Sequence, residues 1–463
     1  MSPSQPGGSR QRELFPRSKC TTISLPDDHP LVVLTELLDW TELEAQAQRI
    51  RRKKLKSGAG RPPHLRILLG VLVLMALRKK PYRETQEQVR YYVPARYLCA
   101  LTESDWTPDF TTVNNFAVLL GQEGVKLINE SVVDRAVELG LCDPQVAVGD
   151  TTCQEAAIPH PNEMGLMGGF IRSMSLAAQK AGSAMAGWLT QMGEKLKAVK
   201  KQVREYRLFA KTKEVKDRVL AQTVKLVQGI TGKLAEALEA TRQGVSKLRG
   251  HGIVARRKLE QLHQTMGKLL PQIRSWLKTG CVAVGKIINL HIPQLYSVVR
   301  GKVGKAVEFG LVWGITRLGG GFVLARQAKE RSELVDTRFA VEAVEDVVDH
   351  FGIVPNSYAY DRGGHSLENV KSLKKLGVKE VGLAPRGRAK WAVRGAVRER
   401  LIRQRAMVEG SIGTAKSAKY GFNRPAGRST EMMGACGQRA VLGTNLTRLL
   451  RGMQSTKPAK KVA

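Results

Sequence analysis

The sequence has 463 residues, with 75 Lys and Arg against 41 Asp and Glu, a formal net charge of +34 and a pI near 10.2. A chain of this length can bury sizeable cores in two or three domains, and so large a cationic excess predicts a polyanionic partner, with nucleic acid the first choice and an anionic membrane surface the second. Aromatic residues make up 5% of the chain, which argues against a protein that mainly stacks unpaired bases.

The chain begins with a polar segment, residues 1–27, that is rich in Gly, Ser and Pro and is predicted to be disordered. Residues 28–141 then have the apolar spacing of a helical domain, with one helix in ELLDWTELEAQAQRI and a more apolar one in LRILLGVLVLMALRK. Asp109 and Thr111 are predicted caps of a later helix. The domain is compatible with a helix-turn-helix, although its recognition helix cannot be named from the sequence.

A basic stretch, RIRRKKLKSGAGRPPH, separates the first two of these helices. Its Gly and Pro residues and its charge predict a loop that is either solvated or bound to phosphate. The candidates for DNA contact in this loop are Arg51, Arg52, Lys53 and Lys54.

The first predicted strand, VAVGD, opens a second domain over residues 142–190 and 281–450 and ends at Asp150. Residues 191–280 interrupt this domain with a basic helical insertion, since residues 192–280 hold 21 Lys and Arg against 7 Asp and Glu. We expect an antiparallel or coiled pair of helices whose polar face suits a DNA backbone. The alternative is a helical hairpin whose charge only keeps it soluble.

After the insertion, two strands joined by a glycine turn are predicted in AVEFGLVWGITRL and FVLARQ, followed by a helix from Ser332. A strand in NSYAYD, a helix in SLENVKSLKKLG, a strand in KEVGLAP and a last helix complete the order. This order predicts an α/β fold, a mixed sheet with helices packed on its faces. Residues 451–463 are predicted to be a flexible basic tail.

The cellular compartment is indicated by cysteine usage and by the absence of long apolar runs. The six cysteines include no C-x-x-C pair, so neither a zinc ribbon nor a disulfide framework is indicated. The longest apolar run, Ile67 to Leu77, is far shorter than the roughly 20 residues that cross a bilayer, and no secretory signal is visible. We therefore expect a cytoplasmic protein with access to DNA and no membrane partner.

Three carboxylates could meet in this arrangement: Asp150 ends the first strand, Asp361 ends the fourth, and Glu409 lies on the last helix. Converging acids repel each other unless cations separate them, and two Mg²⁺ ions about 3.5–4 Å apart could hold both reacting oxygens of a phosphodiester. Each acid has a simpler interpretation, since Asp150 and Asp361 could cap turns and Glu409 could belong to a surface ion pair. Glu399, Glu155 and Glu368 are rivals for the third position.

The chain resembles the DDE transposases of bacterial insertion sequences from about residue 60 to residue 450. The resemblance is carried by GRPPHLRILLGVLVL, PDFTTVNNF, VGDTT, VEFG and YDRGGHS, and by the final helix. Many members of one large group have the pattern Y-x2-R-x3-E-x6-K around the catalytic glutamate. Here the pattern is Ile402, Arg405, Glu409 and Lys416, so the tyrosine is missing.

The resemblance implies a ribonuclease H-like core in which Asp150, Asp361 and Glu409 are catalytic and hold two Mg²⁺ ions, for which Mn²⁺ can substitute. It also implies double-stranded DNA as the partner, at transposon ends and target, a homodimer in the DNA complex, and a bacterial protein associated with the nucleoid. Further DNA contacts are expected from Arg405, Lys416, Asn423 and Arg424, and His365 and Lys305 are weaker candidates for the site.

Three functions follow from these patterns. The first is an insertion-sequence transposase that binds terminal inverted repeats and catalyses metal-dependent DNA cleavage and strand transfer. The second is a decayed or domesticated copy that binds DNA without catalysis, which the substitution at Ile402 and the unusual insertion motivate. The third is a structure-selective nuclease of the same fold.

Overall fold

The computed structural model describes residues 24–55, 63–101, 106–243, 250–302, 305–328, 335–385, 387 and 390–456. The predicted disordered segment, residues 1–27, lies outside the described residues except for its last four positions. Within the described ranges, no helix combines the length and the apolar character that a membrane crossing requires.

The N-terminal part is helical, as predicted. Its helices are α1 (Pro30–Leu37), α2 (Trp40–Lys54), α3 (Leu65–Arg78), α4 (Tyr82–Tyr91), α5 (Val93–Leu98) and α6 (Phe110–Glu138). ELLDWTELEAQAQRI forms parts of two helices instead of one, because Asp39 accepts a hydrogen bond from the Glu42 amide and starts α2. Asp109 caps α6 by accepting from the Thr111 amide at 2.7 Å, so Thr111 lies inside that helix.

The prediction of a basic loop is wrong for residues 51–54. Arg51, Arg52, Lys53 and Lys54 form the last turn of α2, where cations interact favourably with the negative end of the helix dipole. The glycine-rich residues 56–62 that follow are outside the described ranges.

A mixed sheet forms the second part, which confirms the predicted α/β class. The strands are β1 (Asp143–Glu155), β2 (Tyr296–Lys302), β3 (Lys305–Gly319), β4 (Val323–Gln327), β5 (Ser357–Tyr360) and β6 (Glu380–Leu383). The strand order is β2-β3-β1-β5-β6, with β4 also paired to β3. The β1–β3, β2–β3 and β3–β4 pairs are antiparallel, whereas β1–β5 and β5–β6 are parallel.

Helices alternate with the later strands, as the predicted order requires. They are α11 (Asp336–Phe351), a short 3-10 helix (Arg362–Gly364), α12 (Leu367–Leu376), α13 (Gly395–Lys416) and α14 (Thr430–Thr456). Two elements were not in the predicted order: β2, which precedes β3, and α14, which follows the helix that carries Glu409. The predicted flexible tail therefore begins too early, because α14 is helical to Thr456.

The insertion is larger than the predicted pair of helices. Its described residues form four helices: α7 (Glu163–Lys180), α8 (Ser183–Leu208), α9 (Lys213–Gln243) and α10 (His251–Thr279). The helices share one hydrophobic core, to which Phe170, Trp188 and Leu259 belong. The insertion thus begins at Glu163 and not at residue 191, and residues 163–190, predicted as part of the sheet domain, belong to this bundle.

The N-terminal helices and the sheet share a single hydrophobic core, because Leu69 of α3, Leu318 of β3 and Leu446 of α14 belong to one cluster. Buried amides reinforce this contact. Asn445 of α14 donates to Asn129 Oδ1 of α6 at 2.8 Å and also exchanges hydrogen bonds with the backbone of Val323 in β4. The first helices are therefore packed directly on the sheet, and no flexible linker separates the two within the described residues.

Candidate active site

Asp150 and Asp361 occupy matching positions on neighbouring parallel strands. The register pairs Val148 of β1 with Ala359 of β5. Asp150 follows Val148 by two residues within β1, and Asp361 follows Ala359 by two residues, directly after the end of β5. Asp361 keeps an extended backbone (φ −76°, ψ −175°). Since neighbouring strands lie about 4.8 Å apart and side chains alternate between the faces, we infer that both carboxylates lie on the same face of the sheet.

Asp150 does not end its strand, contrary to the prediction. β1 continues to Glu155 in antiparallel pairing with β3, where Asp150 lies opposite Ile315. Pairing of β1 with β5 ends at Val148, however, so Asp150 lies just beyond the parallel part of the sheet. Glu155, one of the rivals for the third position, is the last residue of β1.

Helix α13 covers the face that carries the two aspartates. Val148 and Ala359, which point to this face, belong to the same buried cluster as Leu401 and Val408 of α13. Leu401, Val408 and Ala415 are buried at intervals of seven residues, which places them along one side of the helix. Glu409 directly follows Val408, so α13 carries this third acid at the border between its buried and exposed sides.

Glu409 does not close onto the aspartates in this structure. Its side chain is 69% exposed and lies 3.6 Å from the Arg405 guanidinium, one helical turn earlier. Among the residues that the structure describes, no group of three or more His, Cys, Asp or Glu side chains is arranged to hold a metal ion. The fold therefore brings two of the three predicted acids together and places the third on the helix above them.

Backbone amides orient both aspartates. Asp150 Oδ1 accepts a hydrogen bond from the Thr151 amide at 2.8 Å. Asp361 Oδ1 accepts from the Gly363 amide at 2.7 Å and caps the short 3-10 helix. The turn-capping interpretation of Asp361 is thus correct as local structure, and it leaves one carboxylate oxygen available for another role.

Sequence reasoning missed a further acid, Asp336, at the start of α11. Its Oδ1 accepts hydrogen bonds from the Thr151 hydroxyl at 2.6 Å and from the Tyr360 hydroxyl at 3.2 Å. Asp336 thereby contacts the residue after Asp150 and the residue before Asp361. In the sequence it has only the signature of an acid in a first helical turn, which is common and stabilises many helices.

Two buried tyrosines lie under the aspartates on the opposite face of β5. Burial raises the pKa of the Tyr360 phenol well above its usual value, and the negative charge of Asp336 raises it further. Asp150 and Asp361 both add to the raised pKa values of Tyr358 and Tyr360. The two carboxylates therefore act on one small region of the sheet, in agreement with the strand register.

The aspartate pair has the chemistry of a divalent cation site. Carboxylate oxygens are the ligands that Mg²⁺ and Mn²⁺ prefer, and a bound cation would offset the repulsion between two adjacent negative charges. Both side chains are half-buried, which leaves them open to solvent and to a substrate. The residues present thus fit a metal ion at Asp150 and Asp361, with Glu409 as a ligand only after it turns away from Arg405.

The predicted DNA-contacting residues of α2 differ in side-chain exposure and in their contacts within the protein. Arg52 and Lys53 are exposed at the end of α2 and Arg51 is half-buried. Lys54 already has internal partners, since its ammonium donates to the Leu120 carbonyl at 3.2 Å and lies 3.9 Å from Glu431.

The segment after α13 is hydrogen-bonded to Glu155 at the end of β1. The amide of Asn423 donates to Glu155 Oε1 and accepts from the Glu155 backbone, each at 3.2 Å. The Arg424 backbone amide also donates to the Glu155 carbonyl at 2.7 Å, while the Arg424 side chain is exposed. Asn423 thus has a structural role in this fold, and Lys416 ends α13 in a half-buried position.

His365 and Lys305 are the two weaker candidates for the site. His365 follows the short 3-10 helix and is 9% exposed, as expected for a residue that supports a loop. Lys305 begins β3 opposite Lys302, and its side chain lies outside the described part of the chain.

A family model matches part of the chain. Residues 20–118 match a family model described as Transposase domain (DUF772). No curated protein and no solved structure matches the chain. The match supports a transposase, but it ends before β1 and therefore does not bear on the chemistry of the aspartates.

Proposed function

We propose that this protein is a DDE-type transposase of a bacterial insertion sequence, with a ribonuclease H-like core. The observation that carries the proposal is the register of β1 and β5, which aligns Asp150 with Asp361 on the face covered by the Glu409 helix. The match of residues 20–118 to a transposase domain independently supports the transposase part of the proposal. The protein would act on DNA in the cytoplasm, in association with the nucleoid.

Asp150 and Asp361 would hold the metal ions, and Glu409 would complete the ligand set by turning from Arg405. Two Mg²⁺ ions, or Mn²⁺, would supply an activated water and neutralise charge on the phosphodiester. Asp336 would fix the backbone beside both aspartates through Thr151 and Tyr360, because ligands need outer hydrogen bonds to keep their orientation.

The basic residues would hold DNA. Once Glu409 releases it, the Arg405 guanidinium can grip two phosphate oxygens, while Lys416 acts as a point charge further along α13. Arg52 and Lys53 would contact the terminal inverted repeat, and a homodimer would pair the two ends. Hydrolysis at each end would release a 3′-hydroxyl, which then attacks a phosphate of the target DNA.

The test is a cleavage assay on duplex DNA that contains the ends of the element, with Mg²⁺. Asp361→Asn should lower the cutting rate by at least about 10³-fold, because a lost metal ligand removes several kcal/mol of charge stabilisation. Glu368→Gln is the matched control, since Glu368 is an exposed acid in the next helix. Undiminished cutting by Asp361→Asn would refute the assignment of the site.

A second candidate is a DNA-binding protein without catalysis. It is favoured by the engagement of Glu409 with Arg405 and by Ile402 in place of the tyrosine of related sequences. Titration with Mg²⁺ separates the two candidates. A protein that only binds DNA should neither nick the duplex nor gain stability from the ion, whereas a transposase should do both.

A further inference from the structure

The helical insertion contains a basic cleft between α7 and α8. Two adjoining cavities of about 560 and 610 Å³ run along these helices and share Arg172 and Arg207 in their walls. Lys200 and Arg204 line the first cavity. We call the four residues Arg172, Lys200, Arg204 and Arg207 the cleft cations.

The cleft cations are arranged in line and have no internal anion. Lys200, Arg204 and Arg207 follow each other at four and three residues along α8, which keeps them on one face. Among the described residues that line the two cavities, none is Asp or Glu. Within the described ranges, none of the four cations makes a salt bridge.

Acids close to the cleft in sequence are paired with other bases. Glu163 at the start of α7 is bound to Lys286, and Glu205 of α8 lies 3.9 Å from Lys201. The negative charges of Glu163 and Asp217 also reach Tyr206 in the wall of the second cavity. Among the described lining residues, however, the basic side chains have no acidic counterpart. Such a concentration of unpaired guanidinium and ammonium groups favours an external anion.

The cleft lies where the insertion joins the sheet. The second cavity is also lined by His160 and His291, in the segments that leave β1 and return to β2. Ile158, another lining residue, follows Asp150 by eight positions. Eight extended residues span at most about 26 Å, so the cleft begins within about eight base-pair rises of the aspartates.

We propose that this cleft holds the sugar-phosphate backbone of duplex DNA beside the bond that is cut. The proposal rests on the proposed function and adds to it the place where the flanking DNA lies. From Lys200 to Arg207 the helix rises about 10 Å, which corresponds to about three phosphates of one strand. Contacts of this kind position DNA without reading its sequence, so the ligand is the phosphodiester backbone itself.

The test compares two double variants in binding to a random-sequence DNA duplex, followed by fluorescence anisotropy over a range of salt concentrations. Arg172→Ala with Arg207→Ala removes two cleft cations. Arg257→Ala with Arg274→Ala removes two exposed arginines of α10 that do not line the cleft. Both variants lose the same charge, so a difference between them reports the cleft.

Counterion release predicts the size of the effect. Each lost phosphate contact should reduce the slope of log affinity against log salt by about 0.9. The cleft variant should therefore lose about 1.8 from the slope and about 60-fold in affinity at roughly 0.1 M salt. The α10 variant should stay close to the wild type, and Arg172→Lys with Arg207→Lys should recover most of the affinity.

Wild-type affinity and slope in the cleft variant would overturn the proposal, and so would equal losses in both alanine variants. Loss of binding to phosphatidylserine vesicles with unchanged DNA binding would assign the cleft to a membrane surface instead. The lysine variant retains the charge. If it binds DNA normally, the weaker binding of the alanine variant comes from lost charge and not from a disturbed fold. Duplex binding reports the cleft, and cutting of end-containing DNA reports Asp361, so failure of the cleft and failure of the catalytic assignment are separable.

Discussion

The Thr151 hydroxyl of β1 donates a 2.6 Å hydrogen bond to Asp336 Oδ1 in the first turn of α11. Tyr360 of β5 donates to the same oxygen at 3.2 Å. Thr151 follows Asp150, and Tyr360 precedes Asp361. One carboxylate therefore joins two strands at the point where each presents an acid, and this arrangement fixes the distance between those acids.

Substitution of Asp336 should separate its structural and positioning effects. Asp336→Ala removes the acceptor for the Tyr360 hydroxyl, and because Tyr360 is fully buried we expect a loss of about 1–3 kcal/mol in the free energy of unfolding. Asp336→Asn keeps an acceptor oxygen and should lose less. Urea unfolding measures both.

The same variants should differ in affinity for Mn²⁺. We expect Asp336→Ala to bind the ion more weakly, by up to about 10-fold, because it loses the hydrogen bonds from Thr151 and Tyr360 that hold the residues next to both aspartates. Asp336→Asn should stay closer to the wild type. Calorimetric titration measures the affinity. Equal Mn²⁺ affinity in all three proteins would show that Asp336 only stabilises the fold.

Divalent ions should stabilise the wild-type protein through Asp150. At a Mg²⁺ concentration of about 100 times Kd, binding to the folded state adds roughly 2.7 kcal/mol to the free energy of unfolding. Asp150→Asn should abolish this gain, whereas Glu399→Gln, at an exposed acid of α13, should retain it. Thermal unfolding with and without Mg²⁺ makes the comparison, and a gain that survives in Asp150→Asn would place the ion elsewhere.

Stability should depend on pH through His350. Its hydrogen bond to Asp134, with Nε2 and Oδ1 2.7 Å apart, raises the pKa of the imidazole above its usual value, against the effect of burial. A raised folded-state pKa stabilises the protein fully below the unfolded pKa of about 6.5, and the contribution is lost as pH rises through the folded value.

The comparison for His350 uses His350→Gln. The wild type should lose more stability than this variant as pH rises from slightly acidic to neutral and beyond, measured as the urea midpoint at each pH. His251→Gln, at an exposed position that begins α10, should follow the wild type. A His350→Gln profile parallel to the wild type would contradict the assignment.

Asn445 should be the most sensitive polar position in the core. Its fully buried side-chain amide forms hydrogen bonds with the Asn129 side chain and with the backbone amide and carbonyl of Val323. Asn445→Ala leaves the Val323 amide and Asn129 Oδ1 without these partners, while the Val323 carbonyl keeps the hydrogen bond that Asn129 Nδ2 donates at 3.1 Å. We therefore expect a loss of about 2–4 kcal/mol in the free energy of unfolding. Ser455→Ala, near the end of the same helix and exposed, should change stability by less than about 0.5 kcal/mol. A small loss for Asn445→Ala would show that α14 repacks without the amide.

The sequence predicted the parts of the fold that depend on local pattern. Strand alternation and the glycine turn predicted a strand that carries Asp150 and another that leads to Asp361. That these strands could bring the two acids together was an expectation from the element order and the family resemblance, and the pairing of β1 with β5 agrees with it. Asp336 was missed because its role depends on contacts with residues 185 and 24 positions away. Tertiary contacts of this kind leave no periodic signal.

The insertion was underestimated for a related reason. Helix α7 contains Gly165, Gly168 and Gly169, and glycine lowers helix propensity by about 1 kcal/mol relative to alanine. The bundle overrides that cost by packing, since a Cβ at Gly168 would lie 3.3 Å from Val203 of α8. The close approach of these helices shapes the cleft, and it becomes visible only when both helices are in place.

If the protein acts on DNA as proposed, the shared core of α3, α6 and α14 has a consequence for that DNA. Helices that share a core with the sheet cannot move independently of it. Any base pairs that these helices recognise would therefore be held at a constant distance from Asp150 and Asp361. The fold would then set the number of base pairs between the recognised sequence and the bond that is cut. An element end lengthened by a single base pair between the recognised sequence and its terminus would present the wrong bond to the aspartates.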